Sequence, residues 1–236
     1  MSSAPSPSVA SENGNELRAA RVFLRPIANP FALGFTGLAV ATLLDAGYQL
    51  GWISGSERVE TAILIMAFAP AIQIVACVFG FLARDAIAST SLGVQAVTWG
   101  CIGLSLLLAK PSAHGHSHAL ALLLFVTGAV MFASATTAAG TKLVPAIVVS
   151  LTGLRWILDG IWKLGAGTAW QHASAYTGLV LCAAAIYAIV SLEIEDVRHH
   201  TVLPTLRRGK GKEALDPRLD EQVEQVATEA GVRSQL

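Results

Sequence analysis

Charge is what this chain has least of. Asp, Glu, Lys and Arg make up 14% of its 236 residues, where a soluble domain would carry about a quarter. The shortage is concentrated between Phe31 and Leu192, and it excludes an ordinary soluble domain. Cysteine is scarce too. Cys77, Cys101 and Cys182 are odd in number and all fall in apolar runs, a pattern that offers neither a disulfide framework nor a metal-ligand spacing. The first twenty residues are Ser- and Pro-rich, with no basic region leading into an apolar one, so no cleaved signal peptide is expected. No Ser/His/Asp set and no carboxylate pair shares one depth, which argues against an enzyme. No cofactor, no metal and no nucleic-acid partner is expected.

What the chain does have is apolar length. It is 53% hydrophobic, and six runs reach the roughly twenty residues that cross a bilayer: Phe31–Ile53, Thr61–Leu82, Ala86–Ala109, Ala119–Ala139, Leu143–Leu164 and Ser174–Leu192. These predict an all-α polytopic membrane protein with six transmembrane helices. The turns are short, so sequential helices should be antiparallel neighbours. Arg18, Arg21, Arg25, Arg84, Lys142 and five basic residues from Arg198 to Lys212 fall on one side, against Arg58, Lys110 and Lys163 on the other. That bias puts both termini in the cytoplasm; a multi-pass protein of the plasma (inner) membrane is expected. Residues 1–15 read as a disordered tail and 16–28 as an amphipathic segment along the interface. The transporter domain spans 29–204, and 205–236 form a hydrophilic cytoplasmic tail in which Asp216-Pro217 could cap a short helix to Ala230. Small residues such as Gly100, Gly103, Gly153 and Gly178 recur in the spans and allow close helix contact.

Polar groups inside spans are the functional candidates, because burying them in lipid costs several kcal/mol. Arg155, Asp159 and Lys163 follow one another at i+4 on span five. Either Arg155 attracts a carboxylate with Asp159 setting how strongly, or the stripe is a structural ion pair. Asp45 is expected near the outer end of span one as a solvated carboxylate, with proton coupling as the less favoured role. Gln73 and Gln95 could hydrogen-bond a solute or bridge helices. The histidines of His114-Gly115-His116-Ser117-His118 have no thiolate or carboxylate companion in their loop, so a solvated external loop is expected rather than a metal site.

Asn29-Pro30 opens span one. Asn is a strong N-cap and Pro suits the first helical position. The helix start aims free amides and the positive dipole end at what lies before it, which favours an anion. The plainer alternative is that the pair only begins a helix.

The run Asn29-Pro30-Phe31-Ala32-Leu33-Gly34-Phe35 resembles the Asn-Pro-Ala-Pro-Leu-Gly-Leu signature of the succinate–acetate permease (acetate transporter, YaaH-type) family. Gln73 and the stretch Asp85 through Trp99 lie in register with that family's second and third helices, and Thr201-Val202-Leu203-Pro204 matches its closing motif. The resemblance implies a six-helix protomer in a homo-oligomer, a hexamer, with one pore per protomer for small carboxylate anions. It also implies that Asn29 and Pro30 contact the anion. The family's narrowing Phe, Tyr and Leu fall on Leu38, Gln95 and Leu151. Ala32 replaces a second Pro, Ala69-Pro70 replaces a Gly pair, and Arg155 stands where the family is apolar. A wider, more polar neck than the family's is expected, open to acetate-like monocarboxylates and to larger or more polar anions such as lactate or succinate. Two further readings remain: a channel for a neutral solute such as urea or an amide, and a membrane scaffold or sensor with a vestigial pore.

Overall fold

The first membrane helix is set by its two ends. In the computed structural model, which describes residues 28–109, 115–198 and 200–208, Asn29 is extended and its side-chain oxygen accepts from the Phe31 amide at 3.1 Å. Pro30 occupies the first position of α1 (Pro30–Gln49). The helix stops at Gln49 rather than at the expected Ile53, because Gly51 takes a φ of +75°, where L side chains are strained. That turn brings the Trp52 and Ile53 amides onto the Gly47 carbonyl at 2.8 and 3.2 Å.

After a 3-10 turn at Gly55–Glu57 come α2 (Arg58–Leu82), α3 (Ala86–Leu108), α4 (His118–Ala139), α5 (Leu143–Lys163) and α6 (Thr168–Arg198). Asp85 caps α3 through the Ala88 amide at 2.9 Å, and Ser117 caps α4 through Leu120 at 3.3 Å. Among the described residues six helices are thus long and apolar enough to cross a membrane. The tail 1–15, the segment 16–27 and the helix to Ala230 lie outside the described residues.

Neighbours in sequence are neighbours in space, and α6 packs on α1 to close a ring of six. At one end the α2–α3 and α4–α5 turns are joined by Lys142 and Asp85, 3.6 Å apart. At the other, Arg58 at the start of α2 donates to the Leu106 and Leu107 carbonyls that end α3. The helices therefore alternate up and down. Phe31, Phe35, Leu38, Leu92, Trp99, Met131 and Trp156 fill the centre, while Phe81, Val97, Leu122 and Val126 face outward. An outer surface so apolar suits lipid, where only a backbone bonded within its own helices is stable. At Gly153 a methyl group would stand 2.9 Å from the Gly128 carbonyl oxygen, so the α4–α5 contact needs a glycine there.

Beyond α6 the chain folds back as a strap. Leu206 and Thr205 carbonyls accept from the Leu143 and Val144 amides at 3.3 and 3.5 Å, supplying acceptors to a helix start whose N-cap, Lys142, makes no side-chain cap bond. Glu195 on α6 ties the strap down, accepting from Thr201 at 3.0 Å, Thr205 at 2.8 Å and Arg207 Nε at 2.7 Å.

Candidate functional site

Two polar stripes face each other across α1 and α5. On α1, Thr42, Asp45 and Gln49 share one face, and on α5, Arg155 and Asp159 lie one turn apart. Arg155 is 1% exposed. Its Nη1 donates to the Thr42 hydroxyl and its Nη2 to Asp45 Oδ2 at 2.6 Å. Gln49 Nε2 donates to both carboxylates, to Asp45 Oδ2 at 3.1 Å and to Asp159 Oδ1 at 3.0 Å. The Arg155 guanidinium lies 5.2 Å from the Trp99 ring centre, close enough for a cation–π contact, and Trp99 meets Trp156 edge-on at 6.3 Å.

This placement corrects one expectation. Asp45 is not a solvated carboxylate; it is 7% exposed and pairs with Arg155. The partner of Arg155 is therefore on α1, not Asp159 on its own helix. The Arg155 Nη2 bonds to Asp45 on the facing helix, while Asp159, one turn along α5, is bonded by Gln49. A buried charge without a partner would be far more costly than the pair.

Above this network lies a recess of about 560 Å³ on the side away from the strap. Asp45, Gln49 and Gln171 lie along it with Arg58, His116 and Lys163. Gln171 Nε2 donates to the Gln49 carbonyl at 3.1 Å. The α3–α4 loop is latched to the end of α5: the Ser117 amide donates to the Lys163 carbonyl at 3.0 Å, and His116 Nδ1 lies 3.2 Å from the Trp162 carbonyl oxygen. His116 and His118 are exposed, as a solvated loop requires; His114 is outside the described residues. The Lys163 ammonium sits 3.9 Å from the Trp162 ring centre.

Below the network the protomer narrows. Leu38 and Gln95 have no accessible surface, so water does not reach them, and Leu151 packs half-buried against the same core. Gln73 and Gln95 bridge helices. Gln73 Nε2 donates to the Gly34 carbonyl at 3.2 Å and to Gln95 Oε1 at 3.1 Å, and Gln95 Nε2 lies 3.8 Å from Met131 Sδ. A belt of amides thus runs from α1 through α2 and α3 to α4. Farther on, at the strap side, stands the half-buried Asn29, its oxygen spent on the Phe31 amide, with Pro30 buried behind it.

No protein-family model matches this chain, and no curated protein matches it. Among solved structures, that of the bacterial acetate channel SatP superposes with a TM-score of 0.65 at 20% identity, covering 76% of this chain and 99% of that one. The chain has the fold of an acetate channel. Thr42 and Gln171 were not among the residues the sequence singled out. Thr42, Asp45 and Gln49, at i, i+3 and i+7, share one polar face of α1, and that spacing was the available signal.

Proposed function

We propose that this protein is a membrane channel or transporter for small carboxylates, acetate-like monocarboxylates first and larger or more polar anions such as lactate or succinate next. The observation that carries the reading is the fold held in common with almost the whole of an acetate channel. The recess supports it. Arg58, Lys163 and the imidazole of His116 gather at its walls, and a low-dielectric cleft with a basic rim concentrates anions. In this reading a carboxylate enters the recess, passes the Arg155 network and crosses an apolar neck at Leu38 and Leu151. Gln95 would offer an amide donor in the neck. The anion meets Asn29 and the α1 start beyond. Preorganised donors of this kind replace a carboxylate's hydration. The neck is shut in the state described, so passage requires Leu38 to move.

Both termini lie in the cytoplasm in this proposal, the membrane is the plasma (inner) membrane, and protomers associate as a homo-oligomer, a hexamer by the family resemblance. The Lys and Arg bias supports the orientation. The test is uptake of labelled acetate, lactate and succinate into proteoliposomes by wild type, Asn29→Ala and Arg155→Leu. Flux should fall several-fold in both variants, and unchanged flux in both would remove these residue roles.

One observation favours a neutral solute instead. Asp45 already neutralises Arg155, which leaves the centre without a bare cation. That reading expects urea or an amide to permeate and acetate to be excluded.

A further inference from the structure

Arg155 has more donors than its partners use. Its Nη1 and Nη2 are bonded to Thr42 and Asp45, while Nε, fully buried, has no acceptor among the described residues. A guanidinium offers its Nε and Nη2 edge as a fork to a single carboxylate, and Asp45 takes only one tine of it. On that edge α6 presents Gly178, where a methyl group would stand 2.9 Å from Nε. The α6 backbone thus closes on Nε, and the place a second carboxylate can take is the Nη2 position that Asp45 holds.

The order of groups along the recess adds a second fact. Asp45 and Gln49 line the recess, and Arg155 lies behind them. Any anion that reaches the guanidinium from this side meets the Asp45 carboxylate first. We propose that Asp45 is a tethered stand-in for the carboxylate that passes: it holds Arg155 in the resting protein, and a free small carboxylate from the recess takes its place. This deepens the carboxylate reading and rests on it.

The exchange has somewhere to go. Gln49 Nε2 is bonded to Asp45 Oδ2 independently of Arg155, so Asp45 keeps a donor when it lets go, with Lys163 on the same wall of the recess. Asp159, held by the same amide, sets a second negative charge beside the displaced one. That crowding keeps residence short, as conduction requires of any site on its path. The exchange also lets a centre with no bare cation at rest select for an anion. A neutral amide cannot replace a carboxylate on a buried guanidinium without leaving its charge unpaired.

The experiment uses the full chain in detergent and in proteoliposomes, with formate and acetate as probes and chloride as control. Asp45→Ala leaves a carboxylate-sized space beside Arg155. Its melting temperature should rise by roughly 5–10 °C in formate at a hundredfold above the dissociation constant. Wild type and the double variant Asp45→Ala/Arg155→Met should not respond. If Asp45→Ala folds only when prepared in formate, that shows the same anion site beside Arg155. A rise that survives Arg155→Met, or no rise and no recovery, counts against it.

A purely structural pair would give the same rescue, so flux decides. Asp45→Asn keeps an oxygen for Arg155 but removes the competing charge. Its half-saturating acetate concentration should fall about tenfold, with a lower maximal rate because release slows. An unchanged half-saturation overturns the proposal. Wild-type acetate flux without either effect keeps the passage and rejects the exchange; formate rescue without any wild-type flux keeps the anion site and rejects the passage.

Discussion

Arg155 shows how a single residue can be costly and indispensable at once. A guanidinium taken out of water loses several kcal/mol of solvation, and its attraction to one carboxylate returns that only when the geometry is good. Here a 2.6 Å contact to Asp45, the Thr42 hydroxyl and the Trp99 face share the task. Removing either charge alone should therefore destabilise the protein by about 3–5 kcal/mol. Removing both, as Arg155→Met with Asp45→Asn, should cost clearly less than the sum. Thermal unfolding of the four proteins in detergent measures the coupling, and strictly additive losses would show that the pair does not act as a unit. Spacing on α5 made Arg155 legible as a buried polar group. Its partner was not, because nothing in one helix states which face of another it will meet. Asp45 looked solvated since it falls in the last turns of its span; the Arg155 guanidinium reaching across from α5 puts it under cover.

At the scale of elements, helix starts were the most readable feature and helix ends the least. Asn29-Pro30 announced a cap that the structure contains, and Asp85 supplies another at the start of α3. Substituting Asn29 by Ala should cost about 1 kcal/mol and leave the Phe31 amide exchanging faster with deuterium, while Asn29→Asp should keep most of the protection. The start of α5 was opaque because its caps come from far along the chain. Its first amides are satisfied by strap carbonyls some sixty residues later, and the Thr201-Val202-Leu203-Pro204 motif gave no hint of that destination. Glu195 is the fastening. It accepts from two threonines and an arginine, and hydrogen bonds to a charged group are worth about 1.5–3 kcal/mol each. Glu195→Gln should free the strap, so the Leu143 and Val144 amides should lose protection in hydrogen exchange while Phe35 and Leu38 keep theirs. Equal loss throughout the bundle would mean that the strap is part of the global core and not a local clasp.

For the whole molecule the question is how a chain with a formal net charge of zero could draw anions. Net charge is irrelevant to a ring of helices in lipid; distribution decides. The recess gathers Arg58, Lys163 and His116 at one mouth, with Asp45 below and already committed to Arg155. Arg58 and Lys163 thus bring two positive charges to the mouth, against Asp159 one turn along α5 from Lys163, and low-dielectric walls focus their field. Arg58 is occupied in closing α3, which makes Lys163, resting on Trp162, the cation that can be removed with least damage to the fold. Lys163→Gln should lower acetate uptake two- to fivefold at low ionic strength when acetate is well below saturation, a rough span expected of lost steering. The difference should shrink as salt rises, because the screening length falls from about 30 Å at 0.01 M to about 8 Å at 0.15 M. At saturating acetate the variant should match wild type, since capture no longer limits the rate. A deficit that ignored salt would place Lys163 inside the conduction step itself. No deficit at any salt would mean that acetate does not enter through this mouth.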